Sequence, residues 1–381
     1  MRSPAGRTAT IRYRRVADAV VVGAGIIGAA IARAAADRGA TVEVVEASRP
    51  AAQTSLATFA WVNAVGKQPR AYFDLNHAGM AEHLDLVKRL GGGEWYHAGG
   101  NLEWSAAADE LATRADRHRR WGYAVEIIDA AAARRLEPRA RIGPDDGVAF
   151  YPDDAWVDPV VLVGRLLDHP SIAVSSGVPV QRVATGGSRA VGVELADGRA
   201  IGGGHVVVAT GARTADLLRP LGFELPMRDA PGLLAVTEPV AGGPRRIVHA
   251  PGVSLRPDGG GRLLLAADDL DKRLVPSGGD LSVADAADEL MARARRALAG
   301  LEGIGFEGFR VGHRALTTDG YPAIGAIPGI EAASVAVTHS GITLAPLLGR
   351  LVAGEVLDAR ANPVLDDYRP ARFAVATPTV S

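Results

Sequence analysis

The hydrophobic pattern of this chain changes period several times, and the changes locate its first elements. Val20-Val21-Val22 is a β-branched run suited to a strand buried on both faces of a parallel sheet. The run breaks at Gly23-Ala24-Gly25-Ile26-Ile27-Gly28, and an alanine-rich stretch from Ile26 to about Arg38, closed by Gly39, predicts a helix. Thr41 to Val45 predicts a second strand, with Glu46 at its C-terminal end. Far down the chain, Val178–Val183 and Ala190–Leu195 read as strands of a meander that turns at Asp197-Gly198. A further strand, His205–Val208, ends in Ala209-Thr210-Gly211. Ser282 and Asp285 form a capping pattern ahead of apolar positions 283, 287, 290, 291, 294 and 298, so 282–299 reads as an amphipathic helix with Arg293, Arg295 and Arg296 on a solvated face. A last helix is predicted from Leu344 to about Leu357.

Strand, glycine turn, helix, strand and acid, in that order, have a physical reading as a dinucleotide site. Gly23 serves a tight turn, Gly25 lets backbone approach a pyrophosphate, and Gly28 lets helix pack on strand. The helix N-terminus at Ile26 and Ile27 points amides and a positive dipole end at phosphate. Glu46 is placed to accept hydrogen bonds from an adenosine ribose, and its charge disfavours a 2′-phosphate and hence NADP. The competing reading is a helix–strand turn that binds nothing. The motif by itself leaves NAD and FAD open.

Composition narrows the picture. The stretch Ala19–Ala36 holds only one charge, Arg33, and comes soon after Arg14-Arg15, so it imitates a membrane segment or a twin-arginine export signal. The glycines and Arg33 interrupt it too often for a spanning helix, and cleavage behind such a signal would remove the glycine turn. Residues 1–15 read instead as a loose polar leader, and the cytoplasm is the expected location. With 381 residues, 48% hydrophobic, 22% charged and a formal net charge of −1, the chain has the profile of a globular protein of two domains. Nothing suggests the basic face that nucleic acid requires. Cysteine is absent, which excludes disulfides, thiolate nucleophiles, iron–sulfur clusters and a cysteinyl cofactor anchor. No metal-ligating constellation stands out.

The choice between NAD and FAD turns on the chain beyond Glu46. An NAD dehydrogenase should repeat a βαβ half soon afterwards, yet the next strand with a glycine turn is 205–218, behind the meander. That interruption points to a flavoprotein. The chain here resembles the FAD-dependent D-amino acid oxidase superfamily, in particular its glycine oxidase, sarcosine oxidase and D-amino acid dehydrogenase branch. The resemblance runs from Val16 to about Arg369 through "DAVVVGAGIIGAAIARAAADRGATVEVVE" (18–46), "TSLATFAWVNA" (54–64), "GGNLEWS" (99–105), "RRLEPRA" (134–140), "DAWVDPVVLV" (154–163), "VVVATGART" (206–214), "VSLRPDGGGRLLLA" (253–266), "GHRALTTDGYPAIGAIPG" (312–329) and "THSGITLAPLLGRLVAGEVL" (338–357).

The resemblance implies an α/β fold, α+β overall, in which a Rossmann-like FAD-binding domain (16–90, 146–225 and 310–370) is interleaved with an antiparallel-sheet substrate domain (91–145 and 226–309), with a tail at 371–381. It implies FAD, held non-covalently, with contacts from Gly23, Gly25, Ile26, Ile27, Gly28, Glu46, Ala47 and Ser48. The loop after these adds Arg49, Thr54, Ser55, Ala57 and Thr58, and the later blocks add Val180, Thr210 and Gly211. Ser340, Gly341, Ile342 and Thr343 bring amides of a helix start to the flavin N1–C2=O region. Competing readings are a loop satisfying its own backbone, a core valine at Val180 and an ordinary capped helix.

For the substrate, the resemblance points to Arg314, whose guanidinium fork suits a carboxylate; the alternative is an ion pair, with Asp319 as its nearby candidate. His339 and His249 are further candidates, with Arg256 and the aromatics Trp61, Tyr151 and Trp156 as lesser ones. The block His339-Ser340-Gly341 departs from relatives that carry a second cation there, which favours a larger or only partly carboxylate-like amine. The implied reaction is hydride transfer from the substrate C–H to flavin N5, then hydrolysis of the imine, with electrons leaving to O2, a quinone or another acceptor and no general base required. Alternatives are a hydroxylase-type monooxygenase, an FAD-binding electron-transferring subunit of a hetero-oligomeric amine dehydrogenase, and a tailoring oxidase for an unusual biosynthetic amine. A homo-oligomer is compatible with all of them.

Overall fold

The computed structural model describes residues 16–274 and 279–374, so the leader at 1–15 and the end of the tail lie outside the described residues. Its largest parallel unit forms where the valine runs predict it. Val16–Val22 lies between Val42–Glu46 and Ala200–Val208, parallel to both. Val20, Val21, Val44, Val206, Val207 and Val208 are fully buried, as a sheet covered on both faces demands. The whole sheet has eight strands. The meander strands Val180–Gly186 and Arg189–Leu195 extend it antiparallel, pairing with the start of the long strand Ala200–Val208, whose far end pairs with Ala333–Val337. One strand thus joins both parts of the sheet.

The first helix, Ile26–Ala36, ends slightly earlier than its sequence pattern predicts, and Asp37 to Gly39 close it with backbone turns. It packs against the last helix, Gly341–Asp358, which begins at the glycine rather than at Leu344. This earlier start matters, because it places Gly341, Ile342 and Thr343 in the first turn, where amides lack intrahelical acceptors.

A second sheet of eight strands is antiparallel apart from the pairing of Ile247–Ala250 with Asn101–Ser105. Alternation sorts its two faces. Leu233, Ala235, Val248, Leu255 and Leu265 pack under the amphipathic helix Val283–Ala297. Leu234, Val236 and Leu264 turn the other way and meet Phe59. Arg295 and Arg296 are exposed as expected, Arg295 also donating to the Leu301 and Ile304 carbonyls, whereas Arg293 is mostly covered, pairing with Asp269 and Glu289 and donating to the Gly252 carbonyl. Loop carbonyls near the helix give these guanidinium groups better partners than water alone.

The second sheet includes Gly147–Tyr151 and Phe306–His313, so it runs across the domain boundaries expected at 145/146 and 309/310. Strand pairing with Asn101–Ser105 and Pro231–Thr237 decides where the sheet stops. The tail likewise starts later than predicted: Pro370–Phe373 forms a short 3₁₀ turn, and Arg372 pairs with Asp319. No helix among the described residues is long and apolar enough to cross a membrane.

Candidate active site

The glycine turn is shaped by close backbone contact. Gly23 has φ of +103°, and a Cβ there would stand 2.6 Å from the Ala209 carbonyl oxygen. A Cβ on Gly28 would stand 1.9 Å from the Gly23 oxygen, so the helix can continue from the turn only without a side chain at that position. Glu46 reaches back from the end of its strand: one carboxylate oxygen accepts from the Ala24 amide at 2.8 Å and the other from the Ser48 amide at 3.0 Å. Ser55 Oγ accepts from the Ile26 amide at 3.0 Å, which ties the loop after Ser48 to the helix start.

These groups open onto a cavity of about 530 Å³. Among its walls are Gly23, Gly25, Ile26 and Ile27; Glu46, Ala47 and Ser48; Thr54, Ser55 and Thr58; Val180; Thr210 and Gly211; and His339, Gly341 and Ile342. Pro179, Gln181 and Ala315 join them, without any local signal in the sequence. The cavity therefore has what a dinucleotide requires: bare backbone at the turn, an acid at the end of the second strand, and helix N-termini at Ile26 and at Gly341.

Several candidates stand outside the cavity wall. Gly28 supports the turn from within the helix. Arg49 lies on the surface, and Ala57 packs behind the loop, where a Cβ on Gly312 would meet it at 2.6 Å. Ser340 and Thr343 are buried anchors of the last helix. Ser340 Oγ meets the Tyr72 hydroxyl at 2.8 Å, and Thr343 Oγ1 accepts from the Asn63 amide at 3.2 Å. His83, fully buried, bonds the Ile342 carbonyl at 2.8 Å, and burial pushes its imidazole down to about 4, so it stays neutral and donates. Tyr72, Asn76 and His83 share the buried face of helix Arg70–Leu90. Polar residues at helical spacing on an apolar face are the one sequence signal for them.

Next to the helix terminus, His339 lies where the charges of Lys67 and Arg314 act on it. His339 is exposed to the cavity yet otherwise surrounded by protein; that burial, aided by the charges of Lys67 and Arg314, pushes its imidazole down to about 4. Arg314 donates to Asp268 at 2.9 Å and to Asp271 at 2.5 Å. Asp319, its suggested partner, is instead taken by Arg372 at 2.8 Å, because the turn after Thr317 directs the acid toward the C-terminal segment. His249 Nδ1 donates to Asn101 Oδ1 at 2.8 Å, and its ring lies 4.3 Å from that of Trp61. The Asp268 charge acts on Lys67, His249 and His339 alike, so each lies within electrostatic reach of that acid. Arg256 is structural: 1% exposed, it donates to the Phe59 and Pro257 carbonyls and lies over Trp156.

A family profile described as FAD dependent oxidoreductase matches residues 18–355. This chain belongs to that family. Glycine oxidase from Pseudomonas aeruginosa is 33% identical over 193 residues, which is 50% of either chain, so the match spans about half the length of that relative. Glycine oxidase from Bacillus licheniformis is 27% identical over 374 residues, covering 93% of this chain and 96% of the relative. Among solved structures, glycine oxidase from Geobacillus kaustophilus superposes with a TM-score of 0.80 at 23% identity over 94% of this chain and 99% of the other, a likeness that carries the fold. The protein is thus an FAD-dependent oxidoreductase with FAD as its cofactor.

Behind Trp61 of this oxidoreductase lies a buried acid. Asp154, 1% exposed, accepts from Trp61 Nε1 at 2.8 Å and from the Tyr123 hydroxyl at 2.5 Å. Burial outweighs these donors and pushes its carboxyl up from 3.8 to about 7. The unfolded chain then loses this proton near pH 3.8 and the folded chain near 7, so stability falls as pH rises through that window. Asp154→Asn should gain on the wild type by on the order of 4 kcal/mol between those limits. Thermal unfolding at a series of pH values reads this difference; a gap independent of pH contradicts it.

Proposed function

We propose that this oxidoreductase oxidises the C–N bond of an amino acid or secondary amine to an imine, which water hydrolyses. The observation that carries the reading is that the glycine turn, Glu46 and the N-terminus of the last helix share one cavity whose wall includes His339, a residue on which the Arg314 charge acts. When bound, FAD supplies the acceptor for the hydride. The chain's own residues bind and orient. The glycine turn and Glu46 would hold the adenosine and pyrophosphate end of FAD, and the amides of Gly341 and Ile342 would stabilise negative charge on its ring.

Arg314 holds an acid group of the substrate in place of the exposed Asp268. His339, neutral at working pH, offers one hydrogen bond without adding charge near the reacting amine. His249 is fixed by Asn101 and Trp61. Positioning of this kind is what the chemistry needs from the protein.

The test is anaerobic bleaching of bound flavin against D-amino acids, N-methyl amino acids, cyclic imino acids and neutral amines. Bleaching by at least one of the amines supports the reading. Flavin that stays oxidised throughout refutes it. Repeating the active cases in air with peroxide detection separates O2 from another acceptor.

A further inference from the structure

The last helix carries a proline in its interior, and that proline leaves one carbonyl short of a donor beside the cofactor cavity. A helical carbonyl is bonded by the amide four residues on, as Ser340 is by Leu344 at 2.9 Å. The residue four after Ile342 is Pro346, which has no N–H and whose ring pushes the facing carbonyl aside. The Ile342 carbonyl thus lacks its intrahelical partner, in the same first turn whose residues Gly341 and Ile342 line the cavity. Left unbonded in a buried position, it would bear the full cost of its lost hydration.

Another helix supplies the missing donor. His83 Nε2 lies 2.8 Å from the Ile342 carbonyl oxygen, and its Nδ1 has no partner among the described residues, so the proton sits on Nε2 and Nδ1 keeps a bare lone pair. Trp95 and Tyr96 flank the imidazole, with ring centroids 6.4 and 6.1 Å away. One turn earlier in Arg70–Leu90, Gly79 lets the two backbones close: a Cβ there would stand 2.6 Å from the Thr343 carbonyl oxygen. Tyr72, two turns further back, meets Ser340 at 2.8 Å. Positions 72, 79 and 83 therefore back the start of the last helix, from the residue that caps it to the carbonyl that Pro346 leaves open.

We propose that His83 is a positioning residue for the flavin: its Nε2–H takes the place of the amide that Pro346 lacks, and so holds the Gly341 and Ile342 amides in the orientation that receives negative charge on the flavin ring. This rests on the reading that those amides face the ring. The bonded carbonyl shares its peptide unit with the Thr343 amide, so the same bond polarises a further N–H of that terminus. His83 stands outside the cavity wall and acts only through the helix.

The experiment dilutes FAD-loaded protein and follows released flavin by its fluorescence, and separately reduces the loaded protein beside a dye of known potential. His83→Leu keeps apolar volume but removes the donor; it should weaken FAD binding about tenfold and make reduction of the bound flavin about tenfold less favourable, the size of one buried hydrogen bond. His83→Gln, whose side-chain amide reaches as far as Nε2, should keep most of both quantities, and His83→Asn repeats the loss with a polar side chain too short for the carbonyl. Pro346→Ala restores an N–H four residues after Ile342, so it should recover both quantities in the His83→Leu background while changing little in the wild type. That recovery separates the hydrogen bond from packing, since a packing defect at position 83 would persist. Thermal unfolding of the same proteins should show Pro346→Ala raising the midpoint more in the His83→Leu background than in the wild type. Equal effects of Pro346→Ala in both backgrounds, on flavin and midpoint alike, overturn the inference alone. If the midpoints show the coupling but flavin affinity and reduction are insensitive to every variant, the amides do not face the ring, and the inference falls together with that part of the proposed site.

Discussion

Gly28→Ala should yield protein that no longer retains FAD and that unfolds at markedly lower temperature. The added Cβ would stand 1.9 Å from the Gly23 carbonyl oxygen and 3.2 Å from a Val21 methyl. Neither neighbour is a flexible side-chain end: one is the backbone of the turn, and the other belongs to a fully buried strand residue. Relief requires the helix to move off the sheet, which costs about 3 kcal/mol or more, at the upper end of overpacked cores. The same motion pulls the Ile26 amide from Ser55 and disturbs the turn at Ala24, where Glu46 is bonded. Both the ratio of flavin to protein absorbance and the thermal midpoint of the apoprotein should fall. Full flavin content in the variant would show that the turn does not hold the cofactor.

Arg314→Met should keep FAD but lose most affinity for carboxylate-bearing substrates. Two effects are separable. Removing the guanidinium leaves Asp271 without its ion-pair partner while it keeps the Leu233 amide, so stability drops by about 2 kcal/mol, less than the ~3–5 kcal/mol of a fully buried pair because Arg314 is itself 29% exposed. Asp271→Asn in the same chain should restore part of that stability. It should not restore substrate affinity, because the fork that binds the acid is still missing. A KM raised about a hundredfold, with FAD retained, is the expected kinetic signature of losing a bidentate charged contact. Unchanged KM for an acidic substrate would return Arg314 to a purely structural ion pair.

The cofactor half of the site is legible in the sequence because its determinants are local. Gly23, Gly25, Gly28 and Glu46 act through backbone shape and a short strand, and the structure puts all but Gly28 in the wall of the cavity. Arg49 and Ala57 rest on loop position alone, and nothing local tells which residues of an irregular loop face inward. The start of the last helix is hidden for a different reason, since Gly341 has low helix propensity and only the anchors Tyr72, His83 and Asn63, from other parts of the chain, hold the helix open to that point.

By itself the sequence determined the valine strands, the glycine turn, the acid at the end of the second strand, the amphipathic helix at 283–297 and the family these patterns belong to. Each depends on spacing within a few residues, so chain order suffices to read it. Only the tertiary structure decided the partners of Arg314. Asp268 and Asp271 share one short helix, 46 and 43 residues from Arg314 in the chain, and the pairing that favoured Asp319 by proximity lost to them. Electrostatic partners are chosen by distance in space and by burial, and neither is written in the order of residues.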